Sequence, residues 1–168
     1  GRKPYTAGLN IEAIGIATEK GKITVDENFR TDVPNVYAIG DVIRGAMLAH
    51  KASEEGVYVA EYIANLRPHI NYLTIPNIVY TWPEVASVGH TEEELIANGV
   101  DYKSGSFPFM ANARARMNAD TEGFIKVLVH GQTGEILGIH MIGPRIADII
   151  GEAALAMQYG VSAMGVSN

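Results

Sequence analysis

The sequence predicts an α+β protein, in which an antiparallel sheet packs against helices and follows a partial α/β segment. Apolar runs of strand length, separated by turn residues, fill much of residues 76–160. Two longer stretches, starting near residues 47 and 146, repeat small or apolar side chains at helical spacing. The 168 residues suffice for one compact domain or two small ones, which we place at 1–75 and 76–168.

The first predicted unit, residues 1–75, contains short strands and one long helix. Residues 23–25 alternate with polar neighbours, and the apolar run Val36 to Ile39 predicts a buried strand ending at Gly40 and Asp41. The helix is predicted from about Met47 to Leu66. Its packing face consists of small or apolar side chains at three- and four-residue spacing, namely Ala49, Ala52, Gly56, Ala60 and Ile63.

The second predicted unit, residues 76–168, follows a linker that ends near Pro76. Its strands are predicted at residues 78–80, 85–88, 102–109, 124–129 and 136–142, with a hairpin turn at 131–134. Thr91 and Glu94 have the spacing of a capping box, which predicts a short helix closed by Gly99. The final helix is predicted from Ile146 to Tyr159, with Ile149, Ala153 and Ala156 on one face.

Composition excludes several classes of function. A net charge of −6 without any Lys/Arg run argues against a nucleic acid or an anionic membrane as partner. The absence of cysteine excludes disulfides, thiolate metal sites and a cysteine nucleophile within this chain. Asp148 and Glu152 interrupt the most apolar late stretch, and no signal peptide opens the chain, so we expect a soluble protein.

Gly40 and Asp41 form the first candidate binding site. Ligands of open α/β sheets bind at the carboxyl ends of strands, where a glycine lets them approach the backbone. An aspartate there can accept charge-assisted hydrogen bonds from ligand hydroxyls. From spacing alone, a helix N-cap or a turn residue is the more common role of such an aspartate.

The start of the predicted helix, Met47, Leu48, Ala49 and His50, is the second candidate. A helix N-terminus carries unpaired N–H groups and a partial positive charge, so its backbone can bind an electron-rich group. A packing stripe of small residues is the alternative, and the two roles are compatible. General-base catalysis by the His50 ring is disfavoured, because no carboxylate at an obvious spacing would orient the ring.

Several segments together resemble the FAD-dependent pyridine nucleotide–disulfide oxidoreductases. Residues 31–41 are similar to the family's second flavin-binding segment, and residues 45–56 and 107–115 to dihydrolipoamide dehydrogenases within it. The run from Thr81 to Val85 matches the Thr-x-Pro-Glu segment that opens the family's interface domain, although the role of Trp82 as core or interface anchor stays open.

The resemblance implies that Gly40 and Asp41 hold the ribitol of FAD, and that the backbone at Met47 to His50 lies under the flavin. It also implies that Gly1, in a Gly-Arg-Lys-Pro segment, lies near NAD, and that residues 76–160 make a homodimer contact. The implied activity is oxidation of dihydrolipoamide, with electrons passing through FAD to NAD. The implied partners are the lipoyl domains of 2-oxo-acid dehydrogenase complexes, in a bacterial cytoplasm or a mitochondrial matrix.

The chain departs from the family pattern in ways that limit this expectation. It lacks the redox cysteine pair and the G-x-G-x-x-G fingerprints, and residues 161–168 show no match to the family's His-x-x-x-x-Glu acid/base pair, so no catalytic residue is assigned. We therefore expect a segment of a larger enzyme that is inert alone and holds neither FAD nor NAD by itself. The alternatives are a glutathione or mercuric reductase-like enzyme of the same family, or a non-catalytic dimerisation module.

Two further groups of side chains are candidates for ligand or metal binding. Arg114 and Arg116 would share one face if their segment were extended, and could bind an anion or a facing subunit, or be solvated. The five histidines are spread through the chain without metal-ligand spacing, so no metal site is predicted.

Overall fold

The computed structural model describes residues 2–167, and the chain divides into two compact units, Gly1–Ile70 and Asn71–Asn168. The boundary falls a few residues before the position between 75 and 76 that the sequence predicts. Within residues 2–167, no helix is both long and apolar enough to cross a bilayer.

The first unit has a small hairpin, two single-turn 3-10 helices and one long helix. Strands β1 (Thr18–Glu19) and β2 (Lys22–Ile23) pair antiparallel, so β2 begins and ends earlier than the predicted 23–25. The 3-10 helices span Ile11–Ile14 and Gly40–Val42, and helix α1 spans Ala49–Ile63. The core of the unit consists of buried apolar side chains, namely Ile16, Ile23, Phe29, Ala38 and Ile43.

The strand predicted from Val36 to Ile39 is wrong as a regular strand. Tyr37 makes one isolated antiparallel bridge with Arg30, and the Ala38 amide donates to the Phe29 carbonyl at 3.1 Å. A strand requires a continuous ladder of hydrogen bonds with a neighbour. Since these residues find a bridging partner at a single position within the described chain, the segment stays extended without becoming a strand.

Helix α1 is shorter than predicted, and its packing face is rotated. Ala49, Ala60 and Ile63, three of the five residues assigned to the packing face, are exposed. The two fully buried residues of the helix are instead charged, Lys51 and Glu55. The spacing of the small side chains correctly indicated a helix but not which of its faces is buried, because alanine and glycine are tolerated on either face.

The second unit is built on a five-stranded antiparallel sheet with the order β3-β4-β7-β6-β5. Its strands are β3 (Asn77–Val79), β4 (Glu84–Gly89), β5 (Tyr102–Pro108), β6 (Phe124–His130) and β7 (Ile136–Gly143). Its helices are α2 (Glu92–Ala97), α3 (Ala113–Met117), α4 (Ile146–Gln158) and α5 (Ala163–Ser167). The predicted α+β class and all five predicted strands are present, with shifted ends.

Helix α4 covers one face of this sheet. Ala86, Met141 and Ile125 lie in register across three strands, and Val88, Ile139 and Val127 form the next row. These rows pack into the same core as Ile146, Ile150 and Ala153 of α4. Ile149, predicted to lie on the packing face with Ala153, is 38% exposed, because the buried stripe of α4 passes through Ile146, Ile150 and Ala153.

Helix α2 begins with the predicted capping box. Its Thr91 hydroxyl accepts from the Glu94 amide at 3.2 Å, and the Glu94 carboxylate accepts from the Thr91 amide at 2.9 Å. Gly99, with φ +64°, follows the helix, and the Val100 amide donates back to the Leu95 carbonyl. These bonds satisfy backbone groups that a helix leaves unpaired at its ends.

Helix α3, residues 113–117, contains Arg114 and Arg116, which would share a face only in an extended segment. The Asn112 side chain accepts from the Ala115 amide at 3.0 Å and so caps this helix. Positions two apart on a helix point in different directions, so Arg114 and Arg116 do not share a face. The extended alternative, in which the two arginines share a face, is therefore excluded.

The strands β4 and β7 approach closely at the paired glycines Gly89 and Gly138. A methyl group on Gly138 would overlap the His90 carbonyl, and one on Gly89 would overlap the Leu137 carbonyl. The His90 amide donates to the Leu137 carbonyl at 2.9 Å, just before α2 begins. The entry into α2 is therefore fixed by a backbone contact with β7.

Helix α2 also makes a polar cluster with the sheet. Glu92 accepts hydrogen bonds from Lys126 of β6 and from the Tyr102 hydroxyl of β5, the latter at 2.9 Å. The hydrogen bond from Lys126, followed by that from Tyr102, lowers the pKa of Glu92 below its ordinary value, and the bond to Glu92 raises the pKa of Tyr102.

We predict that Glu92 contributes to the acid sensitivity of the second unit. A carboxylate whose folded-state pKa is lowered stabilises the fold above its unfolded pKa, and that contribution is lost as the pH falls through the folded pKa. Urea unfolding of wild type and Glu92→Gln should differ near pH 7 and converge toward pH 3. Glu93→Gln, at the exposed next position, is the control; a constant difference between wild type and Glu92→Gln at all pH values would contradict the prediction.

Candidate functional site

The Gly40 turn presents Asp41 at the surface of the first unit. Gly40 is buried with φ +72°, a left-handed conformation that other residues adopt at a cost, and it begins the 3-10 helix Gly40–Val42. The Asp41 side chain that follows is exposed. Asp41 is therefore oriented toward solvent and not into a sealed apolar interior.

The start of α1 is the second element of the site. Leu48, at the N-cap position, is extended and makes no side-chain hydrogen bond to the first turn. Ala49 and His50 are the first helical residues and are exposed, whereas Met47 and Leu48 are half-buried. The first N–H groups of a helix have no partner within it, so this end of α1 carries partial positive charge.

The two elements lie against each other. A methyl group on Gly40 would stand 3.0 Å from the Cβ of Ala52, in the first turns of α1. Because only hydrogen fits there without a shift, the backbone before Asp41 packs directly on the helix. The structure thus brings Gly40, Asp41 and the helix start, which the sequence analysis selected separately, into one place.

A buried ion pair beneath this contact was not found from the sequence. Lys51 Nζ lies 2.7 Å from Glu55 Oε1, and the two side chains are 5% and 1% exposed. The Gly40 amide donates to Glu55 Oε2 at 2.7 Å. We call Gly40, Lys51 and Glu55 the Glu55 cluster.

The lysine of this cluster also supports the loop between Gly40 and α1. A methyl group on Gly45, whose φ is +93°, would stand 2.9 Å from Lys51 Cε. Lys51 Nζ is buried and, apart from its ion pair with Glu55, makes no hydrogen bond of good geometry to the described residues. The loop is thus held at Gly40 by Glu55 and at Gly45 by the lysine stem.

One signal in the sequence could have revealed the pair. Lys51 and Glu55 are four residues apart on a predicted helix, a spacing that places them on one face. Such pairs usually lie on solvated faces, so the spacing alone did not indicate burial.

The remaining predicted residues stand as follows. Gly1, predicted to lie near NAD, falls outside the described residues. His50 is exposed in the first turn of α1. Among residues 2–167, no group of three or more His, Asp or Glu side chains could hold a metal ion.

Comparison with known families identifies the class of protein. Residues 75–168 match the model described as pyridine nucleotide-disulphide oxidoreductase, dimerisation domain. Residues 1–56 match the model described as pyridine nucleotide-disulphide oxidoreductase. The chain therefore belongs to the pyridine nucleotide-disulphide oxidoreductase family and contains its dimerisation domain.

The curated relatives of high similarity include several dihydrolipoyl dehydrogenases. The chain is 52% identical over 163 residues to the mitochondrial dihydrolipoyl dehydrogenase of Dictyostelium discoideum, covering 96% of this chain and 33% of the relative. It is 52% identical over 168 residues to the mitochondrial dihydrolipoyl dehydrogenase of Caenorhabditis elegans, covering 99% and 34%. The chain thus spans about a third of the length of the curated relatives it matches.

Solved structures support the same fold. LpdA from Mycobacterium tuberculosis matches with a TM-score of 0.87 and 30% identity, covering 96% of this chain and 36% of that chain. The HOCl-induced flavoprotein disulfide reductase RclA from Escherichia coli matches with a TM-score of 0.87 and 28% identity, covering 96% and 38%.

We predict that Gly40→Ala destabilises the first unit more than Gly15→Ala. Both glycines have positive φ, +72° and +81°, but a methyl on Gly15 would meet nothing within 4 Å, whereas one on Gly40 meets Ala52. Strain alone costs about 1 kcal/mol, and overpacking adds about another. Urea unfolding measures both variants, and equal losses would contradict the close contact.

Proposed function

We propose that this chain is a segment of a dihydrolipoyl dehydrogenase-like flavoenzyme and supplies part of its FAD site. The observation that carries the proposal is the exposed Asp41 carboxylate at a tight glycine turn that packs on the start of α1. Flavin ribityl hydroxyls suit a carboxylate acceptor, and an electron-rich ring edge suits a helix N-terminus.

The residues present fit the part of FAD assigned to them. Asp41 would accept from ribitol hydroxyls, and the backbone of Met47, Leu48, Ala49 and His50 would face the flavin. Gly40 would not leave room for the ligand, as its sequence suggests, but would let the turn that carries Asp41 pack closely on α1. When bound, FAD supplies reversible two-electron transfer between a dithiol and NAD. This chain's own contribution is to bind and orient the cofactor and to place partial positive charge beside it.

The proposed activity of the intact enzyme is oxidation of dihydrolipoamide with transfer of electrons through FAD to NAD. The identity of 52% to the dihydrolipoyl dehydrogenases of two organisms supports this substrate. The redox thiols and the acid/base pair would come from other parts of the enzyme. Lipoyl domains of 2-oxo-acid dehydrogenase complexes would be its partners, in a mitochondrial matrix or a bacterial cytoplasm.

We predict that Asp41→Ala weakens FAD binding by the complete protein roughly tenfold to a hundredfold, because a charge-assisted hydrogen bond is lost. The measurement is titration of the apoprotein with FAD, followed by flavin fluorescence. Asp32→Ala is a matched control, since Asp32 is an exposed aspartate in the same segment. Equal affinities of Asp41→Ala and wild type would refute the proposed role of Asp41.

We further propose that residues 76–160 mediate a homodimer. On the sheet face that carries Lys126, the apolar residues Val85, Ile142 and Phe124 form a row across three strands. Val85 is 39% and Phe124 43% exposed, and Trp82, just before β4, is 74% exposed. Contiguous exposed apolar surface of this kind supports a protein contact.

We predict that Phe124→Asp shifts the self-association of the 168-residue chain toward monomer, because it places a charge in the apolar row. Sedimentation at several protein concentrations measures the effect. Tyr5→Asp is the control, because Tyr5 is 80% exposed and belongs to the first unit. A wild-type chain that stays monomeric at high concentration would remove the proposal.

A further inference from the structure

The Glu55 cluster is an unusual feature for a helix of this kind. Lys51 is the third residue of α1, where the positive end of the helix dipole disfavours a cation. A lysine that precedes a glutamate by four residues is also the less favourable order of such a pair. Local helix energetics therefore do not explain why these residues stand here.

Burial makes the arrangement costlier still. The Lys51 and Glu55 side chains are 5% and 1% exposed. Removing two charges from water opposes folding, and well-packed apolar residues of similar volume often stabilise a protein as much or more. Overall stability is thus a poor explanation for a buried pair at this place.

The contacts of the cluster explain what the pair does instead. One carboxylate oxygen of Glu55 accepts from the Gly40 amide at 2.7 Å, and the other lies 2.7 Å from Lys51 Nζ. The lysine ion pair orients the carboxylate, and the carboxylate accepts from the amide of the residue that precedes Asp41. The lysine stem lies against Gly45, so the loop between Gly40 and α1 bonds to Glu55 at one point and adjoins Lys51 at another.

We infer that the Glu55 cluster is the positioning element of the proposed flavin site, with Glu55 orienting the Gly40–Asp41 backbone and Lys51 orienting Glu55. The inference rests on the proposed function. Glu55 and Lys51 are positioning residues that act through Gly40 and Asp41, and neither is assigned contact with the cofactor. Removing the hydrogen-bond acceptor of Gly40 therefore lowers FAD affinity even where the fold survives.

Two double variants of the complete protein separate positioning from stability. Lys51→Met with Glu55→Gln removes both charges but leaves an amide oxygen that can accept from the Gly40 amide. Lys51→Met with Glu55→Leu removes both charges and the acceptor, while keeping a side chain of similar size. Since neither leaves a buried unpaired charge, both are expected to fold.

The expected result is that the Leu-containing double variant binds FAD about tenfold more weakly than the Gln-containing one, because the Gly40 amide loses its partner. FAD titration of the apoproteins gives the affinities, and thermal unfolding of the same apoproteins reports the fold. Glu54→Gln, at the exposed neighbouring position, should bind FAD like wild type. Equal affinities of the two double variants would overturn the inference.

A wild-type measurement covers the case in which a double variant fails to fold. Amide hydrogen exchange in the wild-type apoprotein should show the Gly40 N–H protected, because it is buried and bonded to Glu55. Rapid exchange at Gly40 would overturn the inference without any variant. A wild-type protein that takes up no FAD would refute the proposed function, whereas FAD uptake with equal affinities of the double variants refutes the positioning role alone.

Discussion

The hydrogen bond from the Gly40 amide to Glu55 is the interaction on which the arrangement of the candidate site depends. It joins the Gly40 turn to a helix residue fifteen positions later in the chain, immediately before the exposed Asp41. Without an acceptor, a buried amide would lose its hydrogen bond and the turn would be free to relax. The left-handed φ of Gly40 and its close approach to Ala52 fit the same requirement, since both bring the backbone within reach of the glutamate.

The second unit depends on a different kind of constraint, the register of its antiparallel sheet. Register places alternate side chains of β4, β6 and β7 against α4, and leaves Lys126 on the other face, where it bonds Glu92 of α2. One sheet thereby supports helices by apolar packing on one side and by a polar cluster on the other. The row of Val85, Ile142 and Phe124 on that second face is the apolar surface that we propose for contact with a partner.

Much of this fold follows from local sequence patterns. Apolar runs between turn residues located the strands β3 to β7, and the spacing of Thr91 and Glu94 located the start of α2, because both patterns act over a few residues. The failures have longer-range causes. The segment at Tyr37 makes its one bridge, among the described residues, with Arg30, and the buried faces of α1 and α4 are set by what each helix packs against.

The candidate site was predictable in part for the same reason. Gly40, Asp41 and the start of α1 are recognisable by residue type and order, whereas their mutual contact is a property of the folded unit. Lys51 and Glu55 were missed because charged side chains are ordinarily exposed. Their burial is explained by the Gly40 amide, which bonds to Glu55 only in the folded unit. The buried face of α1 likewise depends on the folded unit, since Lys51 and Glu55 are buried on it while Ala49, Ala60 and Ile63 are exposed.

The glycine pair Gly89 and Gly138 has a consequence for how this family member can diverge. The entry into α2 rests on main-chain atoms of His90 and Leu137, so the exposed α2 residues Glu93 and Ile96 take no part in that contact. A substitution at either leaves the contact unchanged, whereas a side chain at Gly89 or Gly138 would overlap a main-chain carbonyl. Within this one connection, positions that accept a larger side chain therefore lie close to positions that do not.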